Sequence, residues 1–400
     1  MKCFLFGADN SPASNAGVRF NRLNAIFPSS WSGNELLCRI ILPVAMDISN
    51  FHIEMDVPPG VGTAFTFTIL KNGVATGVSV TVSDTATSGD DTTHAASFAA
   101  GDAVSIQSTP TGVPAESNVQ YWNVQVGSAG GTVPLLTGLA NVSSSLTQYG
   151  SMLAGHGQAA GWVLTEADVQ VVAPTSGTLS NFYVSLSAQP GSSKSYTFTL
   201  MVNGAASGLA VTITGSAVTA NNTVNSVAIV AGDTLTIRSV PTNSPAGVAP
   251  SFGIAFTPNN TGENFMGFGS ANAPSTTVAN YEQLLGIGNL AWSATESSRY
   301  MMPGPCTLRG LYVKLMTAPG VGASRTFTVR KSTGDTPLAV TISGTNTTGS
   351  IAANVTCAQG EMLLLKSTVS SSPSPAAATG GVHVGLLLYN DPKSPVVMIY

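Results

Sequence analysis

The chain has 400 residues and a net charge of −4, and it is 43% hydrophobic but only 8% charged, against roughly a quarter charged in an ordinary soluble domain. Charge this sparse and unclustered excludes a basic nucleic-acid-binding face, and the apolar content with regular strand patterning excludes a disordered chain. No apolar run reaches the ~20 residues that cross a bilayer, and Cys3-Phe4-Leu5-Phe6 is too short for a signal-peptide core, so neither membrane nor nucleic acid is expected as a partner.

In chain order, the first predicted element is a strand at Phe4-Leu5-Phe6, opening a domain over residues 1–126. Trp31 and Glu35 follow with the spacing Trp-x-x-x-Glu. Next come Ser49-Asn50-Phe51, Pro59-Gly60, the strand Phe65-Thr66-Phe67-Thr68, the dipeptide Asn72-Gly73 and the strand Val78-Ser79-Val80-Thr81-Val82. Alternation with a period of two marks a half-buried strand, and Asn-Gly tolerates the positive φ of a tight hairpin turn. Gly101-Asp102 marks a turn before a strand holding Val104 and Ile106, and Tyr121–Val126 closes the domain. Residues 127–148, rich in Gly, Ser and Leu, read as a connector.

From Tyr149 the same text begins again, giving a second domain over 149–256. Trp162 and Glu166, Ser180-Asn181-Phe182, Pro190-Gly191, Tyr196-Thr197-Phe198-Thr199, Asn203-Gly204, Leu209–Ile213 and Gly232-Asp233 repeat the first copy in order. A linker over 257–263 enters a third, looser copy over 264–390. It carries Phe265–Ser270, Trp292 and Glu296, Arg309-Gly310-Leu311, Pro319-Gly320, Thr326-Phe327-Thr328, Val340-Thr341-Ile342 and Gly360-Glu361. The tail 391–400 ends in Val396-Val397-Met398-Ile399-Tyr400. It is apolar and outside the repeat, so it is expected to pack on a neighbouring domain or chain rather than stand as a sticky edge.

The period of about 130 residues is that of a whole small domain rather than a solenoid unit. Each copy holds roughly eight short strands bounded by Gly, Pro, Asn and Asp, the pattern of an all-β sandwich. The one hint of helix is a turn near Val278–Leu285. A surface of Ser, Thr, Asn, Ala and Gly suits a permanent assembly. The short tether at 257–263 favours a compact cluster with pseudo-threefold contacts over a linear string.

The search for chemistry yields no catalytic, cofactor-binding or metal-ligating residue. His52, His94, His156 and His383 occupy non-equivalent positions without partners at metal-ligand spacing. No Gly-x-Ser-x-Gly elbow occurs, and Gly60-Val61-Gly62 and Gly320-Val321-Gly322 open strands rather than helices, so they read as turns and not phosphate loops. Asp90-Asp91 matches Asn221-Asn222 of the second copy, which favours a solvated loop over a calcium site. The recurrent acids Glu35, Glu166 and Glu296, and Asp102, Asp233 and Glu361, stand beside strand ends and turns, where a carboxylate accepts backbone N–H bonds. The cysteines Cys3, Cys38, Cys306 and Cys357 do not recur with the repeat, which predicts free or buried thiols; Cys3–Cys38 and Cys306–Cys357 stay open as pairings.

The recurring string is fullest in the second copy, as Pro190-Gly191, Thr197–Thr199, Asn203-Gly204, Val211–Gly215 and Ala231-Gly232-Asp233-Thr234-Leu235-Thr236-Ile237-Arg238-Ser239. It resembles the jelly-roll modules, of tumour-necrosis-factor-like topology, found in virion proteins of tailed phages and related viruses. The first copy departs with Gln107 for the arginine, and the third with Gln359-Gly360-Glu361 and Lys366. The resemblance implies three tandem jelly-roll β-sandwich domains in a particle-surface or appendage protein. It implies a non-enzymatic virion component, such as a head decoration, fibre or tail protein, whose partners are other capsid or tail proteins and copies of itself. It would be made in the host cytoplasm without a signal peptide. The competing expectation is a cell-surface adhesin or tandem carbohydrate-binding protein meeting a host-surface glycan, its repeats adding avidity. A glycosidase using Glu35, Glu166 and Glu296 is the enzymatic alternative.

Overall fold

The computed structural model describes residues 2–7, 12–24, 31–128, 131–153, 161–270, 272–284, 292–296, 306–332, 334–358, 361–370, 381–389 and 398–399. The first domain contains β1 (Lys2–Gly7), β2 (Pro12–Ala13), β3 (Arg19–Asn21), β4 (Ile40–Ile41), β5 (Met46–Met55), β6 (Gly60–Lys71), β7 (Val74–Asp84), β8 (Ser88–Phe98), β9 (Ala103–Thr111) and β10 (Ser117–Ser128). The second contains β11 (Val133–Gly138), β12 (Gln148–Gly150), β13 (Trp162–Val163), β14 (Val171–Val172), β15 (Gly177–Leu186), β16 (Gly191–Val202), β17 (Ala205–Gly215), β18 (Thr219–Ile229), β19 (Thr234–Thr242) and β20 (Pro250–Pro258). The third contains β21 (Glu263–Ser270), β22 (Asn280–Gln283), β23 (Cys306–Leu315), β24 (Gly320–Lys331), β25 (Gly334–Gly344), β26 (Thr348–Cys357), β27 (Leu363–Val369) and β28 (Val382–Tyr389), and β29 (Met398–Ile399) follows.

Each domain is a jelly roll. One sheet runs β1-β10-β5-β8, β11-β20-β15-β18 or β21-β28-β23-β26; the facing sheet ends β9-β6-β7, β19-β16-β17 or β27-β24-β25. Strand alternation builds the core between them. Phe65 and Phe67, Tyr196 and Phe198, and Phe327 point inward and are fully buried. The threonines between them face out and pair across the hairpin, Thr66 with Thr81 at 2.9 Å, Thr197 with Thr212 at 3.0 Å and Thr326 with Thr341 at 2.8 Å. The repeated tryptophan lies over the repeated phenylalanine every time: Trp31–Phe67, Trp162–Phe198 and Trp292–Phe327 ring centroids are 5.8, 6.1 and 6.3 Å apart. The hairpin turns are as expected, Asn72 and Asn203 sitting at φ 54° and 52° ahead of glycines at 82° and 78°. In the third copy Ser332 takes that conformation at φ 45°.

Three expectations need correction. Residues 127–148 are not a connector: β10 runs to Ser128, and β11 is the first strand of the second domain, paired from Val133↔Phe256 to Gly138↔Ser251. Five consecutive residues of β11 are buried, so it lacks the alternation that reveals a half-exposed strand. The linker at 257–263 likewise shrinks, since Thr257 and Glu263 belong to β20 and β21. Finally, the turn near Val278–Leu285 holds strand β22, paired with β27. Leu285 lies outside the described residues.

The domains cluster through two equivalent seams in which the edge of one sandwich meets the face of the next. Strand β4 packs on β20, β11 and β15, and β14 packs on β28, β21 and β23. Both contacts need a glycine. A Cβ on Gly253 would stand 2.3 Å from the Ile41 carbonyl oxygen, and one on Gly385 would stand 2.2 Å from that of Val172. At the first seam the Ile41 N–H donates to Ser251 Oγ (3.0 Å) and Asn24 Nδ2 donates to the Leu136 carbonyl (2.8 Å). At the second, Thr175 bonds the Glu263 carboxylate. Strand β29 of the tail runs parallel to β1, with Phe4↔Met398 and Leu5↔Ile399, and comes close to β11 and β21. The first strands of all three domains therefore converge on it.

One hydrophobic core runs continuously through the first two domains, while the third has its own. A repeated oddity sits in these cores. Ser108, Ser239 and Ser367 are buried at equivalent positions, and their hydroxyls have no partner among the described residues. A buried hydroxyl without a partner costs stability that a methyl group does not. Ser239→Ala is therefore expected to raise the unfolding free energy by about 1 kcal/mol, read by urea denaturation; a loss of that size would show that the hydroxyl is satisfied.

Candidate functional site

The recurrent carboxylates are the strongest candidates for shared chemistry, and each is engaged in holding the fold. Glu35 opens a short 3-10 turn (Glu35–Leu37) capped by Asn34. It accepts from Arg39 Nε at 2.6 Å and from Ser105 Oγ at 2.8 Å, fixing the turn to β9. Glu166 opens the matching turn and accepts from Thr236 Oγ1 at 2.8 Å. In the third copy the matching position is Leu364, which offers no hydroxyl. Glu296 instead accepts from Arg330 Nε at 2.7 Å, and Arg330, Asp335 and Lys366 continue as an ion-pair chain. Three carboxylates at one repeat position thus face three different sets of local partners.

Asp102 and Asp233 staple two turns together. Asp102 accepts from the Ala99 N–H and from Asn72 Nδ2, both at 2.7 Å, while Asn72 Oδ1 accepts from the Ala103 N–H at 2.7 Å. Asp233, Val230 and Asn203 repeat this at 2.7 and 2.8 Å. Burial alone would raise the Asp102 pKa, but Asn72, the Ala99 N–H and Lys71 outweigh it and hold the carboxyl below its usual range. Glu361 takes the place in the third copy, accepting from the Ala358 N–H at 2.7 Å and pairing with Lys331.

Asp90-Asp91 lies within strand β8 rather than in the solvated loop expected, and the Asp91 carboxylate is buried. Strand β8 loses register with β5 between Ala95 and Asp91, and the side chain of Asp91 fills that bulge. It accepts from the Ser79, Thr93 and His94 N–H groups at 3.0–3.1 Å. Asn222 serves the same bulge in the second domain with reversed polarity, donating to the Ala210 carbonyl at 3.0 Å and accepting from the Asn225 N–H. Such a bulge also blunts an edge strand that would otherwise invite another chain.

Desolvation pushes the Asp91 pKa up, yet the bonds from Ser79, His94 and Thr93 prevail and set it well below the carboxylate range. A depressed folded-state pKa gives stability that is complete above the unfolded value of about 4 and is lost as the pH falls through the folded value. Asp91→Asn is expected to cost about 1–2 kcal/mol at neutral pH, because one acceptor oxygen is lost. It should also flatten the decline in stability below pH ~4; thermal melts across that range test both effects.

Among the histidines, His52 pairs with Asp90 at 2.8 Å and lies 3.8 Å from Glu54, His94 caps Asp91, and His383 is buried with Nε2 3.3 Å from Met316 Sδ. His156 lies outside the described residues. No group of three metal-ligating side chains occurs among the described residues. Cys38, Cys306 and Cys357 are free and buried. Burial pushes the Cys38 thiol up to about 11. Cys306 stands directly opposite Cys357 across β23 and β26, and that contact together with burial keeps its thiol protonated.

What residue spacing did not reveal is a cleft in the second seam, lined by Val172, Ala231 and Gly232 from one domain and Tyr312, Lys314 and Ser350 from the next. Its residues are far apart in the chain and meet only when the domains dock.

Fold and site together define a chain of three fused jelly rolls whose repeated polar residues serve turns, bulges and seams. No family model matches the chain, and no curated protein matches it. Among solved structures it is similar to a chain from work described as "The Triple Jelly Roll Fold and Turret Assembly in an Archaeal Virus". The identity is 11% and the TM-score 0.19, with 89% of this chain and 81% of that one covered. So distant a likeness adds nothing to what the strand pairing shows. No helix among the described residues is long and apolar enough to cross a membrane.

Proposed function

We propose that the chain is a non-enzymatic structural protein of a virus particle, such as a capsid decoration, head-fibre or tail component. The observation that carries this reading is the cluster itself. Three jelly rolls are joined in one chain, dock through equivalent edge-to-face seams and present an outer surface with few charges. Such a body suits permanent burial between neighbours, where unpaired charge is costly and neutral hydroxyl and amide groups find partners. Every recurrent carboxylate is committed to the fold, which leaves no repeated acid for catalysis. Its partners would be other capsid or tail proteins and further copies of itself, and its place the particle surface. Mass spectrometry of purified particles tests this directly. The chain should be present in many copies per particle, and labelled antibody should decorate intact particles under the electron microscope. Particles that lack the chain would overturn the proposal.

A further inference from the structure

The two seams are built from equivalent residues, yet they do not close equally. In the first, Tyr183 on the face of the second domain lies against Gly101, where an added Cβ would meet the tyrosine ring at 3.3 Å. In the second, the matching residues are Tyr312 and Gly232, and a Cβ on Gly232 would meet nothing within 4 Å. The space left between them is a cleft of about 230 Å³. Its chemistry also departs from the closed seam. Lys314 stands where the second domain has Ser185, and Ser350 where it has Asn221. Lys314 is half-buried, and its ammonium donates across the seam to Gln170 Oε1. That acceptor is neutral, and Lys314 makes no ion pair among the described residues. Burial lowers its pKa, with the charge of Glu166 acting the other way, and the Glu166 carboxylate is already bonded to Thr236.

We propose that this cleft binds a small carboxylate-bearing sugar, one per chain. An ammonium has three donors, and the contact with Gln170 uses one of them. A ligand carboxylate would take the others and neutralise a cation that docking has partly stripped of water. Tyr312 lines the cleft, and an aromatic ring is a flat apolar surface suited to the C–H face of a pyranose. Thr348 and Ser350 add hydroxyls that both donate and accept, matching the sugar's own. A neutral sugar would offer Lys314 no direct ion pair, and a bare carboxylate would leave the hydroxyls and the ring unused. The inference stands apart from the virion role, since a chain absent from particles could still bind such a ligand.

The test uses the full chain titrated with sodium glucuronate, glucose and sodium acetate, followed by saturation-transfer NMR and calorimetry. Glucuronate should bind with a dissociation constant on the order of 1 mM, as expected for a small ligand in an open cleft. Acetate should bind roughly tenfold more weakly and glucose not measurably. Lys314→Ser, which imports the residue of the closed seam, should weaken glucuronate binding roughly tenfold or more. Ser350→Phe, on the exposed rim, should block the cleft and keeps the test sound if the lysine variant does not fold. Both variants are read only where the melting temperature matches the parent. The proposal is overturned if glucuronate shows no saturable binding, if acetate or glucose binds as well as glucuronate, or if either folded variant retains the parent affinity.

Discussion

Gly385→Val should part the second and third domains without unfolding either. The glycine lies in the middle of β28, where the Val172 carbonyl and Pro174 cross it so closely that a Cβ would stand 2.2 Å from one and 3.1 Å from the other. Backbone on both sides of that contact is held by strand pairing, so neither can yield alone, and valine adds two further methyl groups. Strands β28 and β23 keep their own pairing through the position, since their side chains on this face point away from the domain core. The expected result is a folded chain with a hinge. In small-angle scattering the radius of gyration should rise clearly above the ~21–22 Å of a compact globule of this length, while the circular dichroism stays that of β-sandwiches. Gly253→Val should open the first seam in the same way. Gly208→Ala is the control, because a Cβ there meets nothing within 4 Å. A compact profile for Gly385→Val would mean that the seam can slide to admit a side chain.

Phe198→Ala should lower one thermal transition and spare another. Phe198 is fully buried among Trp162, Tyr196 and Phe252, with ring centroids 5.2–6.1 Å away. Removing the ring costs about 3–5 kcal/mol in transfer and cavity terms. Because the cores of the first two domains are continuous, that loss falls on a unit of both, and its melting temperature should drop by roughly 10 °C. The third domain, whose core is separate, should melt as before. Calorimetry decides, and a uniform shift of all heat absorption would show that the three domains unfold as one.

Much of the fold was legible because turns and exposed faces constrain single residues. Asn72-Gly73 and Asn203-Gly204 announced positive φ, the Phe-Thr-Phe-Thr runs announced a buried and a solvent face, and three tryptophans at one repeat position announced a shared core contact. The roles of Asp102, Asp233 and Glu361 were legible too, since a carboxylate beside a turn has backbone donors within reach; Glu35, Glu166 and Glu296 instead accept from side chains brought from elsewhere in the fold. Buried surfaces between domains were not. Strand β11 is covered on both faces and loses its alternation, so it read as connector. Gly253 and Gly385 carry no local turn signal, because their need for a missing side chain comes from a strand in another domain. Lys314 looked like one scattered charge among few until Gln170 and Gly232 stood beside it.

The inequality of the two seams has a consequence for valency. In a true homotrimer one gene specifies every interface, so a substitution that opens one contact opens all three, and a new pocket arrives in triplicate. Fusing the copies removes that constraint. Here one seam keeps a tyrosine shut against a glycine while its sibling has drifted to hold a lysine, and neither change imposes itself on the other. The molecule thereby carries a feature at a stoichiometry of one, with its position relative to the other two domains fixed by the order of the chain.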